Sequence, residues 1–172
     1  MIFGNPTDFA VEAEFDRTPN SSSGTVWGHM RLWCEGHAIG DFEELQSGLS
    51  GALEALIHTA NHLDELDVPM LRPLDDSAVW NLVHAALYID DNRSDGEIAR
   101  DAASWGRLDF LTNWGETFDG YAGVIFFRTP NSLRILIRGP GDEMNGFSVT
   151  PSGFQAAVSA FGAWCRTQSA TV

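Results

Sequence analysis

Residues 8–16 constrain the N-terminal half more than any other stretch. Phe9, Val11, Ala13 and Phe15 alternate with Asp8, Glu12, Glu14 and Asp16, with Ala10 neutral. A period of two describes a strand with one face in a core and one acidic face in water. Pro19, Asn20 and three serines then predict a turn, and a second strand is expected over residues 25–34. Val26, Met30, Leu32 and Cys34 face one way along it; Trp27, His29, Arg31 and Trp33 face the other. Glu35 and Gly36 close a hairpin into residues 37–40, so the chain opens as an antiparallel meander.

The pattern then changes to helical spacing. Leu49, Leu53, Leu56, Ile57, Ala60 and Leu63 form one apolar stripe over residues 46–64, and Val79, Leu82, Val83 and Ala86 form another over 76–88, capped by Asp76 or Ser77. Pro69 and Pro73 mark an extended link between the two. Residues 90–97 read as a polar, acidic loop, followed by a short helix over 98–103. Strands return at 108–111, 124–127 and 133–138, with a further segment at 147–149. Thr150 and Pro151 open a last helix as cap and first residue, and it carries Phe154, Val158, Phe161, Trp164 and Cys165 on one face. The expected fold is α+β: an antiparallel β-sheet, made of the N-terminal meander and a C-terminal hairpin, packed by about three helices that include a C-terminal one. No linker interrupts the pattern, so residues 1–172 read as a single domain. The pentapeptide Arg-Thr-Pro-Asn-Ser occurs at 17–21 and again at 128–132, each copy between strands, which is reuse of turn chemistry.

Charge narrows the choice of partners. Lys and Arg together number 10 against 24 acids, for a net −14, and all 10 are Arg. Such a chain is repelled by nucleic acid and by anionic membranes, and is drawn to basic partners. Residues 1–6 have neither a basic region nor an apolar core, so they do not read as a signal peptide, and no apolar run is long enough to span a bilayer. Cys34 and Cys165 lie in apolar contexts that suggest buried thiols and a cytoplasmic setting, although a disulfide between them is compatible with the sequence.

No catalytic motif is intact. His58 and His62 share a helix face at i, i+4 near Glu54 and Glu65, a pattern that could hold zinc in a small metal-dependent hydrolase; Thr59 stands where a metalloprotease places Glu. Residues 91–96 resemble a calcium loop, but Arg93 occupies a ligand position and Ala102 the place of the bidentate Glu. Residues 48–52 miss the last glycine of a nucleophile elbow, and residues 139–141 lack the third glycine and the helix of a phosphate loop. Trp27, His29, Arg31 and Trp33 have the composition of an interface or ligand-binding face, yet two helices need a sheet to pack on, so helical cover of that face is the expectation.

Residues 113–121 combine Asn113, Trp114, Gly115 and Glu116 with Phe118, Asp119, Gly120 and Tyr121. As chemistry this is a structured corner entering a sheet, with Glu116 and Asp119 expected as turn and capping groups. As a pattern it resembles the signature of immunity protein family 42 of bacterial polymorphic toxin systems. Residues 1–6 with Phe9, Ala10 and Val11 are similar to that family's opening. So are Trp27, Gly28, His29 and Trp33, then Gly40 and Asp41, and the closing Phe154, Val158, Phe161 and Trp164. The resemblance implies a non-enzymatic, cytoplasmic antidote that needs no cofactor and binds the toxin domain of a sibling cell's effector; it supplies no catalytic residues. With the charge, it points to a basic toxin, such as one acting on nucleic acid. The contacts expected to meet it are Asp41, Glu43, Glu44, Asp64, Glu65, Asp67, Asp90, Asp91, Asp95 and Glu97.

Overall fold

The computed structural model describes residues 1–16, 27–43, 47–89, 92–112 and 114–169, without the side chains of 47 and 169. It has an α+β fold. The first sheet contains β1 (Ile2–Gly4), β2 (Phe9–Phe15), β3 (Trp27–Cys34) and β4 (His37–Ile39) in that order, with β5 (Ser47–Gly48) also paired to β3. All pairings are antiparallel, and β2 meets β3 with Val11 opposite Leu32, Glu12 opposite Arg31 and Ala13 opposite Met30. The alternation read from the sequence is therefore physical: Phe9, Val11, Ala13, Met30, Leu32 and Cys34 are fully buried on one side. The hairpin between β3 and β4 turns through Glu35 and Gly36 at φ 49° and 82°. Positive φ at both central residues suits the right-handed twist of the flanking strands.

The second sheet runs β6 (Asp109–Phe110), β7 (Ala122–Thr129), β8 (Ser132–Arg138) and β9 (Met144–Val149), again all antiparallel. Consecutive residues are buried at Val124, Ile125 and Phe126 and at Ile135, Leu136 and Ile137, so both faces of this sheet are covered. The strands expected in one sheet thus divide into two. One hydrophobic core joins them, and His37 on β4 meets Phe147 on β9 with ring centroids 5.5 Å apart.

Four helices complete the described fold: α1 (Leu49–Asn61), α2 (Asp76–Tyr88), α3 (Asp95–Trp105) and α4 (Pro151–Ser169). The last lies over the buried face of β1 and β2. Phe154 packs on Phe9 at 4.7 Å, while Phe161 and Trp164 pack on Phe3 at 5.7 and 5.2 Å. Each fully buried Phe contributes roughly 1.5–3 kcal/mol by leaving water. Thr150 caps α4 by accepting from Gly153 N at 3.0 Å, as expected. Its own amide donates to Asp8 at 2.7 Å, which ties the helix start to the approach of β2.

Several boundaries moved. The first helix starts at Leu49, and residues 63–66 tighten into a 3-10 turn. The cap of α2 is Asp75, whose Oδ1 accepts from Ala78 N at 2.7 Å, rather than Asp76 or Ser77. Helix α3 begins inside the stretch read as an acidic loop, because Ser94 and Glu97 form a reciprocal capping box there. The strand expected at 108–111 shrinks to two residues after a 3-10 turn at Gly106–Leu108. Strand β1 was not anticipated: three residues are too few to show a period. The first copy of the repeated pentapeptide lies outside the described residues; the second ends β7 and starts β8 through a turn at Pro130 and Asn131.

Candidate functional site

The stretch over 114–121 is a corner between β6 and β7. Trp114, Thr117 and Phe118 are buried at 6%, 1% and 3% exposure. Phe110, Trp114, Phe118 and Tyr121 form a chain of edge-to-face contacts at 4.8, 6.1 and 6.4 Å. That arrangement places positive ring edges on negative ring faces. Gly115 sits at φ 114°, and Gly40 at φ 100° lies so close that an added Cβ would stand 2.8 Å from the Phe118 ring. Two separate blocks of the sequence pattern, at Gly40 and at Phe118, are therefore one packing contact. The expected capping role of Glu116 and Asp119 is absent among the described residues: both carboxylates are exposed and neither makes a hydrogen bond or ion pair there. The turn closes through backbone bonds instead, from Phe118 N to Gly115 O at 2.9 Å and from Asp119 N to Glu116 O at 3.0 Å. Asn113 lies outside the described residues.

The acidic candidates occupy three places. Asp41 and Glu43 follow β4, where Asp41 Oδ1 accepts from Glu43 N at 3.0 Å. Asp64, Glu65 and Asp67 lie on the exposed turn after α1, where Asp67 is held by Arg72 at 2.6 Å. Asp95 and Glu97 open α3, and Glu97 accepts from Ser94 N at 2.9 Å. Three of them, Asp41, Asp67 and Glu97, thus have local structural work. Glu44, Asp90 and Asp91 fall outside the described residues.

His58 and His62 do come together, with ring centroids 4.4 Å apart and His62 Nδ1 2.8 Å from His58 O. Among the described residues, no group of three His, Cys, Asp or Glu side chains is placed to hold a metal ion. Cys34 and Cys165 are buried thiols. Burial pushes the Cys34 thiol far above its ordinary value and raises Cys165 to about 12 against the opposing charge of Arg166.

The β3 face overturns the expectation of helical cover. Helices α1 and α4 pack on the other side of the sheet, and neither Trp27 nor Trp33 belongs to the core. Trp27 keeps 44% of its surface. Between the tryptophans, Arg31 Nε donates to Glu12 Oε2 at 2.7 Å, and Trp33 Nε1 donates to the same oxygen at 2.9 Å. The Arg31 guanidinium also lies 5.0 Å from the Trp33 ring and 4.9 Å from the Phe42 ring. Burial pushes the Glu12 carboxyl up, but hydrogen bonds from Arg31 and Trp33 and the charge of Arg31 outweigh it and hold it below its ordinary value. His29, beside Phe42 at 6.1 Å, has its Nδ1 buried without a hydrogen-bond partner. Glu12 and Phe42 were not singled out from the sequence. The available signal was the cross-strand pairing of Glu12 with Arg31, which follows once the hairpin register is known.

A second charged cluster fastens α2 to the second sheet. Asp76 accepts from Arg128 at 2.5 Å through Oδ1 and from Arg134 at 2.5 Å through Oδ2. Arg128 also donates to the carbonyls of Arg72 and Leu74. A Cβ at Gly146 would stand 2.6 Å from Asp76 Oδ2, so any larger residue there must displace the pair. Nearby, Arg138 stacks on Trp80 at 5.0 Å.

Comparison with known proteins bears on what these surfaces serve. The model of the immunity protein 42 family matches residues 1–164. The chain belongs to that family. This member also has the fold of a solved immunity protein, CdiI from Burkholderia dolosa AUO158. The TM-score is 0.65 at 12% identity, covering 95% of this chain and 99% of that one. No curated protein matches this chain in sequence. Among its described residues, no helix is long and apolar enough to cross a membrane.

Proposed function

We propose that this chain binds the toxin domain of a cognate effector in the cytoplasm and neutralises it by occupancy, without catalysis of its own. The observation that carries this reading is the family match over residues 1–164. The net charge of −14 supports a basic toxin, such as one that acts on nucleic acid. An acidic antidote is steered quickly onto such a surface and competes there with the polyanion. Asp41, Glu43, Glu44, Asp64, Glu65, Asp67, Asp90, Asp91, Asp95 and Glu97 are the acidic groups proposed to provide that attraction. Tight inhibition calls for an interface on the order of 1,600 Å² in total.

The test is growth protection. Cells expressing the toxin domain encoded beside this chain's gene are expected to survive when the chain is co-expressed, and the two proteins are expected to co-purify. Death of the co-expressing cells, with both proteins soluble and no complex recovered, sinks the reading for that pair.

A further inference from the structure

We infer that the helix-free face of the first sheet, where exposed Trp27 and Glu14 flank half-buried Glu12, Arg31, Trp33 and Phe42, is where a basic segment of the toxin docks. This rests on the immunity reading above and names the surface that serves it. Three observations converge on this face. First, its aromatic groups lie outside the core, and the sheet's helices pack on the opposite side. Trp and Arg at the centre of a patch are the residue types that dominate binding energy. Second, the face is already organised. Glu12 holds Arg31 and Trp33 through one oxygen, and Arg31 is held between the rings of Trp33 and Phe42. Side chains fixed before binding lose little entropy on docking.

Third, the charge specifies the occupant. Among the described residues, the cation of this face, Arg31, is neutralised by Glu12. Among the described residues, Glu14, opposite His29 on the same face, and Glu43, next to Phe42 in the chain, have no ion-pair partner. The centre is thus aromatic and neutral while the border is negative. A Lys- or Arg-rich segment gains on both counts, stacking a cation on the exposed Trp27 ring and pairing with the border acids. A second copy of this chain would set Glu14 and Glu43 against like charges, which disfavours a homodimer through this face.

The experiment uses the full chain and the purified toxin domain encoded beside its gene, by titration calorimetry at low and moderate salt. Trp27→Ala and Glu14→Lys change exposed groups and are expected to keep the wild-type melting temperature. Their combination is expected to weaken binding by at least ~30-fold, as loss of an interface hot spot does. Glu14→Lys alone is expected to flatten the salt dependence of binding. Glu143→Lys, the same charge change on the turn before β9, is expected to leave the affinity within about threefold, as for a rim charge remote from the contact. Wild-type affinity in the double variant, with wild-type protein still binding and protecting cells, overturns the surface while leaving the immunity reading intact. Loss of binding only in Glu65→Lys or Asp95→Lys does the same. Wild-type protein that neither binds nor protects removes the immunity reading, and the surface with it. A wild-type dimer that Trp27→Glu dissociates refutes the assigned occupant.

Discussion

Asp76→Ala should be among the costliest single substitutions that leave the hydrophobic core untouched. Asp76 opens α2, and its carboxylate receives Arg128 and Arg134 from β7 and β8, residues 52 and 58 positions away. The three side chains retain 26%, 24% and 21% exposure, so the cluster is neither a surface pair nor a fully buried one. Breaking a buried pair costs about 3–5 kcal/mol, while an exposed pair is worth about 0–1 kcal/mol. An intermediate loss of about 2–3 kcal/mol is expected, because two guanidinium groups then lie half-buried without their carboxylate. For a chain of this size that lowers the melting temperature by about 4–10 °C. The pH dependence gives an independent check. Hydrogen bonding from Arg134, opposed by burial and aided by the charges of Arg134 and Arg128, holds the Asp76 carboxyl below its ordinary value of 3.8. A depressed pKa stabilises the fold fully above the unfolded value, and the stabilisation fades as pH falls through the folded one. Wild-type and variant stabilities should therefore differ most at neutral pH and converge on acidification below about pH 4. Urea melts from pH 7 down to pH 3 measure this. A loss under about 1 kcal/mol at pH 7, the range of an ordinary exposed pair, would refute the reasoning. So would a difference that does not shrink with acid.

Other consequences are simpler to check. Gly146→Ala should destabilise by a similar route, since its Cβ displaces Asp76 and Arg134, and adding it to Asp76→Ala should cost little more; a double-mutant cycle by thermal melting reads the coupling. Trp114→Ala should cost about 3–5 kcal/mol as a core truncation. Asp119→Ala should stay within about 0.5 kcal/mol, because its carboxylate caps nothing, and denaturant melts separate the two cases. Cys34 and Cys165 should resist a thiol reagent at neutral pH until the protein unfolds, because burial raises both thiols; fast native labelling of either would contradict that placement.

The sequence was most readable where one local pattern coincided with one physical demand. Alternation over β2 and β3 marked the buried face, and Thr150-Pro151 marked the start of α4, because those signals need only neighbours in the chain. The capping box at Ser94 was equally local, yet it was hidden by acids that suggested a loop. What the chain brings together from far away was not readable in advance. Nothing near Asp76 announces Arg128 or Arg134, and nothing near Gly40 announces Phe118. The exposure of the Trp27 and Trp33 face is hidden in the sequence for a related reason. Period two shows that a strand has two different faces, but both faces here carry large apolar groups, and only the tertiary packing shows which of them the helices cover. The acidic candidates illustrate the opposite difficulty. With 24 acids in the chain, composition supplies many contacts of similar appearance, and the structure gives Asp41, Asp67 and Glu97 internal partners.

Neutralisation by occupancy is tested most directly by titrating the chain into the purified toxin domain while following the toxin's own activity. The account predicts a linear fall in activity that ends at equimolar chain, and full recovery of chemically intact toxin after denaturing separation. Inactivation by a small fraction of an equivalent, or a covalent change in the recovered toxin, would show that the chain acts as an enzyme and contradict the account.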